Sequence, residues 1–228
     1  LLPVVTTRHT PSTATPAGNN GRSESFATSG SATAALSRGD PLVLEPDSPA
    51  TMAESLERAA RKCPDSEVIH LQTDGTEIRQ TYPALLEESR RILGGLRELG
   101  LAAGDKVLLQ LETRRDFIPG IWGSMLGGMI PVPVSIPMQY ESENNVVQKL
   151  AHAWNSLEKP MVLTSARLVS QVQKLATVMG LEGLNVVSIQ NIQAHEPDPR
   201  SHAGQPDDPA LLLLTSGTTG APKGVMLS

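Results

Sequence analysis

Cysteine is almost missing from this chain of 228 residues: Cys63 stands alone. One cysteine closes no internal disulfide, which suits a reducing compartment, and a cytoplasmic location is expected on that ground. Basic charge is also in short supply. Lys and Arg total 19 against 24 Asp and Glu, a formal net charge of −5, so no general basic character points to nucleic acid. No apolar run approaches the eighteen or so residues that a membrane-crossing helix needs. The opening LLPVVTTRHT lacks the charged start and apolar core of a secretion signal. The chain does not begin with Met either, and both ends are expected to be cut from something longer.

Large apolar residues fail again over 8–40. From Pro11 to Asp40, 22 of 30 positions are Ser, Thr, Ala, Gly or Pro, and only Phe26 and Leu36 are large and apolar. Such a segment buries too little surface to offset its ordering entropy and reads as a tether. Residues 1–40 are therefore assigned to a linker and 41–228 to an ordered domain. Any structure in Leu1–Val5 is expected to belong to whatever precedes the chain.

What is present begins near Pro41. Ser48 or Thr51 can cap a helix running to about Lys62. Two strands, Glu67–Gln72 and Glu77–Thr81, flank the Asp74-Gly75 turn as a hairpin. Thr81-Tyr82-Pro83 opens a helix whose Leu85, Leu86, Ile92, Leu93, Leu96 and Leu99 recur at helical spacing before Gly100. A strand follows over 105–111. The next helix runs from Arg115 to Gly127 or Gly128, with Phe117, Ile118, Ile121, Trp122 and Met125 as its apolar face. Ile130–Val134 reads as a strand whose two prolines place it at an edge or at the start of a strand. Helices over 142–157 and from Arg167 or Leu168 to Met179, the latter with Leu168, Val172, Leu175 and Val178 inward, alternate with strands over 160–164 and 185–189. His152 lies off the apolar stripe and reads as a solvated histidine. The segment from Asn191 to Asp208 reads as a polar surface loop. Its His195 and His202, six residues apart among prolines, make a poor metal pair. The helix–strand alternation implies an α/β fold: a mostly parallel, βα-layered sheet flanked by helices.

The last eighteen residues organise this pattern. Leu211–Leu214 reads as a strand buried on both faces inside a parallel sheet. Thr215, Ser216, Gly217, Thr218, Thr219 and Gly220 then bring four hydroxyls and two glycines in six positions. Glycines let the backbone approach a ligand, and successive N–H groups among small residues can form an anion-binding nest. Lys223 adds a compact positive charge, and Gly224 releases the chain into the short strand Val225-Met226-Leu227. A plain Ser/Thr/Gly turn is the blander alternative. The pattern is neither G-x-x-x-x-G-K-[ST] nor G-x-G-x-x-G.

TSGTTGAPKG resembles the signature phosphate loop of the adenylate-forming superfamily, which includes acyl-CoA synthetases, peptide-synthetase adenylation domains, fatty acyl-AMP ligases and luciferases. TYPALL resembles that superfamily's Thr-Tyr-x-x-Leu motif, and GGMIPVPV its glycine followed by a short strand. The resemblance covers about residues 48–228. It implies ATP with Mg2+, a carboxylic acid as co-substrate, and an acyl adenylate passed on to a thiol. It implies phosphate contacts from Thr215 to Gly220, Lys223 and Gly224, with Lys223 and Thr218 supporting phosphate transfer and no general base. The stretch from Val132 to Ser165 is similar to adenylation units of polyketide and peptide synthases and to fatty acyl-AMP ligases. Together with the tether, it favours a carrier-protein phosphopantetheine thiol as acceptor. A stand-alone synthetase using free CoA and a non-catalytic nucleotide-binding module are the alternatives. The remaining superfamily motifs are expected beyond Ser228. Exposed strands at a cut end invite association, so poor solubility of the isolated chain is expected. The isolated chain is also expected to catalyse no adenylation, and robust pyrophosphate exchange by the purified 228 residues would overturn that reading.

Overall fold

The structure, a computed structural model, describes residues 4–5, 47–72, 74–140, 144–216 and 222–228. The chain divides into a unit of Leu1–Thr6 with Pro49–Ser228 and a unit of Thr7–Ser48. Of the second unit only Asp47 and Ser48 are described, so the tether expected over 8–40 lies outside the described residues. In chain order the elements are β1 (Val4–Val5), α1 (Met52–Lys62), β2 (Glu67–Leu71), β3 (Glu77–Thr81), α2 (Tyr82–Glu98), β4 (Lys106–Gln110), α3 (Arg114–Leu126) and β5 (Ile130–Pro133). There follow α4 (Asn145–Ser156), β6 (Met161–Thr164), α5 (Val169–Met179), β7 (Val186–Ser188), α6 (Ile189–Gln193), β8 (Leu211–Ser216) and β9 (Pro222–Leu227).

The centre is a four-stranded sheet in the order β5-β4-β6-β7 with every pair parallel. Its middle strands are buried on both faces, as continuous apolar runs require. Val107, Leu109, Met161 and Leu163 face α1, α2, α3 and α6. Leu108 and Val162 face the opposite way, onto α4, α5 and Leu212 of β8. Helices thus cover both faces, as expected. β5 is an edge strand for a visible reason. The amides of Ile130 and Val134 donate to the carbonyls of Asp105 and Leu109. In a strand successive N–H groups alternate in direction, so Pro131 and Pro133 occupy positions whose missing N–H would point away from β4.

Local capping sets most boundaries. The Thr51, Thr81 and Thr113 hydroxyls accept from the amides of Glu54, Ala84 and Asp116, and Asn144 Oδ1 accepts from Val146 and Val147. At the other end of α5, Gly180 takes the left-handed conformation with φ +63°.

Several expectations are corrected. The leucine run is not an interior strand of the parallel sheet. β8 pairs antiparallel with β9, and β9 pairs parallel with β1. Only the residues 217–221 separate β8 from β9, and so short a connection permits a hairpin but not a parallel crossover. The burial accordingly alternates: Leu212 is 2% exposed and Leu213 38%. Val4–Val5, expected to belong to a preceding domain, pairs within this unit. Val178 is exposed, because the inward row of α5 continues from Leu175 to Met179, four residues on.

The apolar face of α3 packs on the core, but the most deeply buried row of the helix also includes small residues that the apolar pattern does not single out. Pro119, Gly120, Gly123, Ser124, Met125 and Leu126 are buried, while Phe117, Ile118, Ile121 and Trp122 are only partly so. Small residues let α3 lie close to α2. A Cβ on Gly123 would stand 2.8 Å from the Ser89 carbonyl oxygen and 2.6 Å from Ile92 Cγ2.

The segment 194–208 is a docked strap rather than a free surface loop. The Asp198 amide donates to the Arg90 carbonyl and the His202 amide to the Leu126 carbonyl, at 3.0 and 2.7 Å. The buried Asp198 carboxylate accepts from Arg97 and Arg200, and Ser201 donates to Glu57, which also pairs with Arg90. Hydrogen bonds from the Arg200 side chain, and behind them its amide and Arg97, hold the Asp198 carboxyl well below the usual carboxylate range, against the opposing effect of burial.

Two predictions follow from this packing. Gly123→Ala should destabilise the domain by about 1–3 kcal/mol, because a backbone carbonyl cannot yield and overpacking exceeds the gain in helix propensity; a chemical-denaturation midpoint equal to wild type would contradict it. Asp198→Asn should lower stability at neutral pH by about 1–3 kcal/mol. Because the folded carboxyl titrates low, its stabilisation is present above the ordinary carboxylate pKa and lost as the pH falls through the folded value. The gap between wild type and variant, read from melts at pH 7 and in the acid range below about 4, should therefore narrow on acidification.

Candidate functional site

The carboxyl ends of the parallel strands carry a band of polar residues. Thr164 Oγ1 donates to the Gln110 carbonyl at 2.8 Å, and Gln110 Nε2 donates to the Ser135 carbonyl at 3.0 Å. These bonds join the carboxyl ends of β4, β5 and β6. Gln110 is fully buried, and its Oε1 has no protein partner. Beside it the Ser165 hydroxyl and the Arg167 guanidinium both bond the Glu112 carboxylate. Farther along the segment after β5, burial pushes the Tyr140 phenol up to about 12, so it stays protonated near neutral pH and offers no base there.

The β8–β9 hairpin brings its tip to this same end. Thr215 pairs with Lys223 and Ser216 with Pro222 in the last rungs of the ladder. Of the residues singled out in the sequence, Thr215 and Ser216 therefore close β8, and Lys223 and Gly224 stand in β9 directly across from their partners. Gly217, Thr218, Thr219 and Gly220 lie outside the described residues. Thr215 is exposed and Gly224 is buried. A Cβ at Gly224 would come within 3.0 Å of Leu212 Cδ1, so glycine there lets the two strands pack tightly just behind the tip.

A cleft of about 170 Å³ opens between the hairpin, the carboxyl end of β5 and the first two turns of α4. Thr215 and Leu214 form one wall, Pro133 to Ser135 a second, and Val146, Lys149 and Leu150 the third. Nothing in the sequence singles out Lys149; only the packing of α4 brings it here. A larger cavity, of about 250 Å³, lies at the amino-terminal ends of β5 and β8, with Met52, Met129, His202 and Ala210 among its walls. The smaller cleft is the candidate site, because ligands of parallel α/β sheets bind beyond the carboxyl ends of the strands and because Thr215 lines it. His152 is exposed and lies 3.4 Å from the Ser156 hydroxyl, while His195 pairs with Glu98. Among the described residues no group of three His, Cys, Asp or Glu side chains comes together as a metal site, and no helix is long and apolar enough to cross a membrane.

Comparison with known proteins agrees with this geometry. Residues 56–228 match the family described as AMP-binding enzyme. Microperfuranone synthase of Emericella nidulans is 31% identical over 160 residues, 67% of this chain and 16% of that protein. A fatty acid–[acyl-carrier-protein] ligase of Streptomyces coeruleorubidus is 28% identical over 148 residues, 65% of this chain and 28% of that protein. Among solved structures, McyG A-PCP complexed with phenylalanyl-adenylate superposes with a TM-score of 0.74 at 38% identity, covering 78% of this chain and 28% of that one. The chain spans only 11–19% of the length of three further curated relatives. The match over 56–228, with a parallel sheet whose carboxyl ends meet the hydroxyl-rich hairpin, places this chain in the AMP-binding enzyme family.

Proposed function

We propose that this chain is the nucleotide-binding N-terminal portion of an adenylation unit. That unit activates a carboxylic acid with ATP and loads the acyl group onto the phosphopantetheine thiol of a carrier protein. The observation that carries the reading is the hairpin register: it sets Thr215 opposite Lys223 at the end of the sheet where ligands bind. Support for the carrier-protein acceptor comes from the McyG structure, in which an adenylation domain and a PCP accompany an acyl adenylate, and from the acyl-carrier-protein ligase.

In the first step a carboxylate oxygen attacks the α-phosphorus of ATP, and the bond to the β-phosphate oxygen breaks to release pyrophosphate. In the second the thiol sulfur attacks the acyl carbon, the thiol proton is lost and AMP leaves. The first nucleophile is already ionised, so no general base is required. Positioning and charge stabilisation supply most of the catalysis in such transfers. In this reading Thr215 to Gly220 present amides and hydroxyls to the β- and γ-phosphates, and Lys223 and Gly224 complete the cradle from the facing strand. Gly224 fits that role because its missing side chain keeps the strands close behind the tip. Magnesium supplies charge neutralisation at the phosphates when bound; the described residues build no cage for it.

Replacing Lys223 with Ala should weaken ATP binding about tenfold or more, since a bond to a charged group is lost. The backbone ladder to Thr215 does not depend on that side chain. Equal affinity of wild type and variant in a calorimetric titration would remove Lys223 from the site.

A further inference from the structure

We infer that Lys149 of α4 is a second cation of the phosphate site, acting from the wall of the cleft opposite the hairpin. The inference rests on the phosphate reading of the hairpin and extends it to a residue outside the TSGTTGAPKG motif. Lys149 and Thr215 line one cleft. Among the described residues that line it, Lys149 is the one that carries a charge. Its ammonium is exposed and forms no ion pair among the described residues. Exposed ammonium groups with nothing to neutralise are ordinary on open surfaces. Here the group stands instead at the end of the sheet that receives ligands, beside the first hydroxyl of the loop.

The packing explains why it is held there. Val147, Leu150, Ala151 and Trp154 bury one stripe of α4 against the sheet, and Asn144 fixes the start of the helix by accepting from two amides. Lys149 lies where that stripe meets the cleft, which Val146 and Leu150 also line. The charge argument is simple. A triphosphate carries several negative charges, whereas 211–228 contains Lys223 alone. A second lysine across the cleft would hold the tail from the opposite side and stabilise the departing pyrophosphate, as a compact ammonium suits phosphate oxygens.

The test titrates Mg·ATP and, separately, inorganic pyrophosphate against the immobilised 228-residue chain at 50 and 200 mM NaCl. Lys149→Ala should weaken both ligands about three- to tenfold at low salt and flatten the salt dependence. Lys149→Arg, which keeps the charge, should stay near wild type. Lys174→Ala, which removes an equal charge from an exposed position on α5, should change neither. Unchanged affinity in Lys149→Ala, or an equal loss in Lys174→Ala, overturns the inference while leaving the hairpin site intact. A wild-type chain that binds neither ligand overturns the hairpin reading itself. A weakening of ATP without weakening of pyrophosphate would place Lys149 away from the phosphate tail and also count against it.

Discussion

The backbone ladder between β8 and β9 is the constraint on which the functional architecture depends. The apolar runs Leu211–Leu214 and Val225–Leu227 could have entered the parallel sheet, but the five-residue connection allows only an antiparallel turn. That turn brings Thr215 and Lys223 face to face. It also leaves Leu212 and Leu214 packed on the cluster beneath α4, which anchors the strands bearing the loop. The chemistry of the tip is therefore attached to the core by alternation along one strand: inward leucines hold it, and the hydroxyls follow at the free end.

The other half of the molecule supports this end indirectly. α2 and α3 approach closely where Gly123 faces Ser89 and Ile92, and the 194–208 strap is tied across them by Asp198 and the His202 amide. His202 also lies over Gly128, where φ is +71° and a side chain would collide with the imidazole. Gly128 leads directly into Ile130 and so into β5, whose far end forms a wall of the candidate cleft. A continuous series of contacts thus runs from the strap through the α3–β5 turn to the candidate cleft. The polar bonds from Thr164 to Gln110 and from Gln110 to Ser135 fasten the receiving end.

Much of this was legible in the residues. The helix start at Thr81, the glycine stop at Gly180 and the order of helices and strands follow from short-range rules; of the alternatives those rules leave open, the structure takes Thr51 over Ser48 as a cap and the edge for β5. Composition says nothing of register, however: the leucine run has the look of an interior strand of the parallel sheet, and the structure pairs it antiparallel with β9 instead. The small residues of the buried row of α3 carry no hydrophobic signal, unlike Met125 beside them; glycines recurring at 120, 123 and 127 are the available clue. The strap was read as a loop because its anchor joins Asp198 to Arg97, about a hundred residues away, and no local pattern records such a pairing. Lys149 belongs to the same class: on the helix it is one more polar position, and only the fold sets it beside Thr215.

The central claim is that the hairpin tip, at the carboxyl ends of the strands, receives the phosphate tail of a nucleotide. A crystal structure of the chain with ATP tests it most directly. The account predicts the β- and γ-phosphates within hydrogen-bonding distance of the amides between Thr215 and Gly220 and of Lys223. A nucleotide bound instead in the larger cavity at the opposite ends of the strands, between Met52, Met129 and His202, would contradict it.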